Sequence, residues 1–235
     1  VRAVLRLREH VTQDITRSKN RTIKYLRTLG QVYRQGNNWT KKYRARIASL
    51  ALSQDQRLIV RTHLDQVDAL VARQQAIARR IEEIAHSEPY WKKVQRLMSL
   101  RGIALHSAMV LIAEIGDARR FAKATCLMSY FGLVPRESSS GNSRHTGSIT
   151  KAGNRRARWI LTEAAWNQRG KPGQCRRLQK HWQTQPEEVV AIAKKAEQRL
   201  HHKFWKVGSR KDTKTAATAA AREMAGFVWA LLTVD

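Results

Sequence analysis

The sequence predicts an all-α chain, a long coiled-coil arm followed by a helical domain with a helix-hairpin-helix-like unit. Three observations predict it. Apolar residues recur at three-four spacing near the start, a heptad seam runs through residues 53–85, and a second amphipathic pattern closes the chain over residues 216–232. The predicted divisions are 1–38, 39–93 and 94–235.

The first helix is read from Val4, Leu7, Val11 and Ile15, then Tyr25, Leu26 and Leu29, with an Arg- and Lys-rich opposite face. The chain opens on Val rather than Met, so a fragment is expected. Gly30, Gly36, Asn37 and Asn38 mark a break. The stretch that follows interleaves Trp39 and Tyr43 with Lys41, Lys42, Arg44 and Arg46, a mixture that suits nucleic-acid contacts or a short packed helix.

Val60, Leu64, Val67, Val71, Gln74, Ala78, Ile81 and Ala85 alternate steps of four and three, an a/d seam with one polar member. Such a seam needs a partner helix, from this chain or from a second copy, and Pro89 ends it. Beyond it, Leu100-Arg-Gly102-Ile103 between two helical patterns reads as a helical hairpin. Its Gly102 turn either offers backbone N–H groups to a phosphate or merely packs. A helix over about 122–132 carries Leu127, Met128, Tyr130 and Phe131.

Residues 132–158 are read as a Gly/Ser loop. Ser138, Ser139 and Ser140 precede Gly141, the cations Arg144, Lys151, Arg155, Arg156 and Arg158 follow, and Thr150 is the expected cap of the next helix. Backbone that approaches closely, a helix start and guanidinium forks make an anion site, where a serine hydroxyl can attack a phosphodiester. By composition alone a flexible loop is the other reading.

Bulk properties set limits on partners. The chain has 235 residues, 45 Lys and Arg against 18 Asp and Glu, a net charge of +27 and 42% hydrophobic residues, which argues against wholesale disorder. A field of that sign and size calls for a polyanion, nucleic acid before a membrane surface. No stretch approaches the roughly 18 apolar residues of a membrane-crossing helix, and without a leader pattern the cytoplasm is the default. Cys126 and Cys175 form no disulfide framework or zinc spacing, and the pair His201–His202 lacks companion cysteines. Trp182 and Trp205 are expected to anchor the core or to stack on bases.

The ordered string Leu100-Arg-Gly-Ile103, Leu111-Ile-Ala-Glu-Ile-Gly-Asp117, Phe121, Tyr130-Phe-Gly-Leu-Val-Pro135, Ser139-Ser-Gly141 and Thr150-Lys-Ala-Gly-Asn154 resembles the C-terminal transposase domain of one insertion-sequence family. That family includes the pilin-gene invertase and the bridge-RNA-guided recombinases. The similarity is dense from about Arg96 to Trp166. The heptad helix resembles the family's coiled-coil arm, and residues 1–38 resemble the end of its N-terminal RuvC-like domain.

The resemblance implies a bacterial DNA recombinase whose transposase-domain serine becomes joined to a DNA 5′ phosphate. The serine before the Gly of Pro-x-x-x-x-Ser-Gly is Ser140, with Ser139 and Ser138 as second and third choices. It also implies a structured guide RNA, a homo-oligomer through the arm, and magnesium held by a carboxylate (DEDD) domain. Nothing in residues 1–52 supplies those carboxylates, so no metal site is assigned. This chain alone is expected to bind nucleic acid without catalysing. Candidate phosphate contacts, taken from charge and position, are Arg136, Arg144, Lys151, Arg155, Arg156, Arg158 and Gly102. A non-catalytic nucleic-acid binder and a structural oligomerisation module are the rival readings.

Overall fold

A computed structural model describes residues 1–140 and 143–234, with 139, 140 and 143–146 as backbone only. The described residues are predominantly helical and divide into two compact units, Ala3–Arg80 and Ile81–Asp235 together with Val1–Arg2.

In the first unit, α1 (Arg2–Thr28) buries Leu5, Val11, Ile15, Ser18, Thr22 and Leu26. The inward stripe differs from the predicted one at its start: Leu5 is inside, whereas Leu7 is 49% exposed. Two positions on the stripe are small and polar. Thr22 fits there because its hydroxyl donates to the Ser18 carbonyl one turn back (2.9 Å).

After α2 (Lys41–Ala48), capped by Thr40, comes α3 (Gln54–Ala85). On α3 the seam residues Val60 and Val67 are buried, and Gln74, the polar member, donates to the Thr12 hydroxyl at 2.7 Å. Farther along, the Tyr25 and His63 rings meet edge-on at 6.2 Å between centroids. Residue 12 beside 74 and 25 beside 63 make α1 and α3 antiparallel neighbours, so the seam has its partner within the chain.

One end of this unit closes on Leu26, Tyr43, Ile47 and Val60, with Trp39 and Tyr33 packed against them. The aromatic residues of the basic stretch therefore pack. Arg44 forks onto the Asp68 carboxylate at 2.7 and 2.5 Å.

The second unit contains α4 (Trp91–Met98), α5 (Leu105–Ile115), α6 (Ala124–Tyr130), α7 (Arg155–Ala165), α8 (Arg176–Trp182), α9 (Glu187–Gly208) and α10 (Thr213–Thr233). A run of Ala along α10 (Ala216, Ala217, Ala220, Ala221 and Ala225) is buried, and this small-residue face packs against α4, α6, α7 and α9. Short side chains there let the backbones come close. On α5, Ala108 through Ile112 are all buried, as are Glu114 and Ile115, so this helix runs through the core.

The turn between α4 and α5 is seated on α7. At Gly102 (φ +88°) a Cβ would fall on the Ala164 carbonyl oxygen, which gives this glycine a packing reason. Trp182 donates its indole N–H to the Ser99 carbonyl and Trp205 to that of Arg169.

The expected Gly/Ser loop is instead a β-hairpin, β1 (Pro135–Ser140) with β2 (Ser143–Ile149). The strands pair antiparallel with Ser138 opposite His145, Ser139 opposite Arg144 and Ser140 opposite Ser143, and the register shifts between Pro135 and Glu137. Thr150 is not the cap of α7. Its backbone N–H closes the hairpin on the Val134 carbonyl (2.9 Å), and Asn154 caps the helix.

Candidate functional site

The root of the hairpin is a place where two backbone segments lie against each other. Lys151 N–H donates to the Gly132 carbonyl (3.1 Å) and Asn154 N–H to that of Tyr130 (3.0 Å). A Cβ on Gly132 (φ +66°) would meet the Ala152 carbonyl oxygen, and one on Gly153 (φ +119°) that of Tyr130. Only glycine gives both the left-handed backbone and the close approach. Lys151, between them, also holds a positive φ of 56°, an uncommon state for a side-chain-bearing residue.

Asn154 ties this root to α5 and α7 together. Its Oδ1 accepts from Ala157 N–H at the start of α7 (3.0 Å), and its Nδ2 donates to Glu114 Oε2 (2.8 Å). Glu114 is 5% exposed and also faces the Arg156 guanidinium at 3.5 Å. The Tyr130 hydroxyl donates to the Glu114 backbone carbonyl (3.1 Å). A buried carboxylate needs such partners, because desolvation without them costs several kcal/mol, on the order of 3–5. Three motif strings, around Glu114, Gly132 and Gly153–Asn154, therefore meet at one point under the serine hairpin.

Ser138 is exposed on β1. The side chains of Ser139, Ser140 and Arg144 lie outside the described residues, as does Gly141. Of the candidate cations, Arg136, Lys151 and Arg155 are exposed. Arg156 is engaged by Glu114, and Arg158 donates to the Phe131 carbonyl at 2.7 Å. Partial burial and the neighbouring Arg155 pull Arg158 below the usual arginine range. These two guanidiniums brace the hairpin root.

Sequence reasoning quoted Glu114 and Asn154 only within the resemblance strings and gave neither of them, nor Trp159, a role of its own. Asn154 carried a readable signal, an Asn just before a helical run. Trp159, one turn beyond Arg155 on α7, is 58% exposed. Glu114 carried no local signal, since its partners lie about forty residues away.

Among the described residues no three of His, Cys, Asp and Glu come together as a metal ion requires, so these residues do not fit magnesium. Cys126 and Cys175 are free thiols, and no described helix is long and apolar enough to cross a membrane.

Residues 94–180, which include the hairpin, its root and α7, match the model of the transposase family IS116/IS110/IS902. This segment is an IS110/IS116-family transposase domain. The transposase domain has similar counterparts in curated proteins. The chain is 32% identical over 235 aligned positions to a Sinorhizobium fredii protein named a putative transposase (y4qE), covering 98% of the chain and 56% of that protein. It is 30% identical to the transposase for insertion sequence element IS1533 of Leptospira borgpetersenii, covering 87% and 60%. Against the transposase for IS1111A of Coxiella burnetii it is 28% identical, covering 70% and 39%. The chain thus spans little more than half the length of the first two. Helices α9 and α10 fall outside the matched segment, although they supply much of the core beneath it.

Proposed function

We propose that this chain is the DNA-handling part of a transposase that cuts and rejoins DNA through a serine of the β1–β2 hairpin, Ser140 first, then Ser139 and Ser138. The observation that carries the reading is the braced hairpin root. Glu114, Asn154, Gly132 and Gly153 tie a serine-bearing hairpin to the start of α7, with Arg136, Lys151 and Arg155 exposed nearby in the chain.

In this reading the serine Oγ attacks a phosphorus, the Oγ–P bond forms as the bond to the 3′ oxygen breaks, and the 5′ phosphate stays on the protein. The hydroxyl proton passes to a general base and the departing 3′ oxygen takes one up. The phosphoserine ester conserves the bond, so the strand can be rejoined without a nucleotide cofactor. Exposed cations neutralise the charge on the phosphate oxygens. The partners are DNA and, by the family resemblance, a guide RNA. A second copy of the chain would have to dock on a face of α3 other than the seam, such as that of Leu58 (65% exposed) and Ile59 (39%).

The test supplies DNA, magnesium and a carboxylate domain, joined to the chain or added separately. A denaturation-resistant protein–DNA adduct is expected, lost in Ser140→Ala and retained in Ser138→Ala. An adduct that survives alanine at all three serines overturns the assignment. Retained DNA binding with no adduct under any condition favours the non-catalytic binder.

A further inference from the structure

A second feature of the C-terminal unit lies apart from the serine hairpin in the chain and has no role in the mechanism above. Between α8, α9 and the loop that precedes α8 is a cleft of about 600 Å³, lined in part by Trp182, Gln179, Gln183, Gln198, Lys194 and Glu197. Its volume falls within the range of small-ligand pockets, on the order of 300–1,000 Å³.

Several hydrogen bonds build the cleft in advance. Arg101 Nη1 donates to the carbonyls of Gly170 (2.8 Å) and Lys171 (2.9 Å) and to Glu197 Oε1 (3.4 Å), which pins the loop. Glu197 Oε2 accepts from Gly173 N–H (3.1 Å), and Gln179 Nε2 donates to the Gly173 carbonyl (2.5 Å). The indole of Trp182 is held by its N–H on the Ser99 carbonyl (3.0 Å). The buried carboxylate of Glu197 is engaged by Arg101 and a backbone donor, while Lys194 stands exposed at the cleft.

The chemistry of this lining selects among ligands. An apolar molecule would offer no partner to the amides of Gln183 and Gln198 that line the cleft. An acidic peptide would call for a cluster of cations, where the lining here is chiefly amides. A nucleotide matches each part: an aromatic ring for the base to stack on, amides that can donate to and accept from a base edge, and an ammonium for the phosphate.

We propose that the cleft takes one nucleotide, its base against Trp182, its edge on the amides of Gln183 and Gln198, and its phosphate at Lys194. This deepens the nucleic-acid part of the function proposed above and does not depend on the serine chemistry. The nucleotide comes either from a strand, unstacked from its neighbours, or free from solution.

The test is photo-crosslinking of the intact chain to a short single strand carrying 5-bromouracil, followed by peptide mapping, with adenosine monophosphate as competitor. A crosslink within residues 176–198 is expected. Lys194→Ala with Gln198→Ala, both at exposed positions, should lower it about tenfold while an Arg61→Ala control, at an exposed cation of α3, leaves it in place. Trp182→Phe keeps a ring and should retain most of the crosslink; Trp182→Leu should lose it. Protection by adenosine monophosphate at the mapped peptide identifies a free nucleotide as the source, and a crosslink without that protection identifies a strand. A strand that binds tightly but crosslinks only outside the cleft, with the double variant unchanged, overturns the cleft and leaves the nucleic-acid reading standing. Failure of both probes to bind overturns both.

Discussion

Glu114 and Gly153 have no part in the proposed phosphoryl transfer, yet they hold the root on which the serine hairpin stands. Replacing Glu114 with Ala takes the carboxylate from Asn154 and Arg156 in a buried setting, at an expected cost of about 3 kcal/mol. Glu114→Gln keeps an acceptor for Asn154 and should cost about 1 kcal/mol. Urea denaturation of the two variants measures both, and equal losses would show that the acceptor kept by glutamine contributes nothing.

Gly153→Ala adds a Cβ onto the Tyr130 carbonyl at a φ of +119°, whereas Gly36 has a similar φ (+116°) with nothing within 4 Å. The first substitution should therefore cost roughly 2–3 kcal/mol and the second about 1, the difference being the collision rather than the backbone strain. Matched thermal melts would expose the error if the two variants behave alike. Of these residues, Asn154 carried a cap signal, although the cap was expected at Thr150. Gly132 and Gly153 were legible only as punctuation, because the carbonyl each one approaches lies about twenty residues away.

At the scale of elements, helix periods were legible and polar strands were not. The heptad pattern places α3 correctly, and it runs to Ala85 before Pro89. The hairpin escaped because Ser, Arg, His and Thr give no alternation of apolar and polar side chains, although Gly141-Asn142 between two extended runs is itself a turn signal.

The α9–α10 pair carries a pH test. Burial pushes the Glu223 carboxyl up, but hydrogen bonds from Arg199 and Lys203 outweigh it and hold the group below the ordinary glutamate range. A carboxyl depressed in the folded state contributes stability above its unfolded pKa, roughly 4.3, and loses it as pH falls through the folded value. Wild-type stability should therefore drop more steeply below about pH 4 than that of Glu223→Gln, whose acid limb should be flatter. Denaturant midpoints between about pH 6 and pH 3 decide it, and parallel curves would sink the idea.

Across the whole molecule, charge is the dominant quantity. With +27 on 235 residues, DNA affinity should fall steeply with salt, by about a hundredfold or more between roughly 50 and 200 mM. Arg155→Ala and Lys151→Ala should each reduce the slope of log affinity against log salt by about 0.9 if each meets one phosphate. Arg158→Ala should act chiefly on stability, since its guanidinium is spent on the Phe131 carbonyl. A flat salt titration would favour the oligomerisation module.

The sequence by itself determined the helical class, the seam of α3, the polyanion-seeking charge and the segment that carries the transposase signature, because these are properties of local period and composition. The tertiary structure alone decided that α1 fills the seam, that the serine run is a strand, that Arg156 and Arg158 brace rather than reach outward, and that Glu114 joins three distant strings. Partners separated by tens of residues leave no periodic trace in a chain; only packing brings them within hydrogen-bond distance.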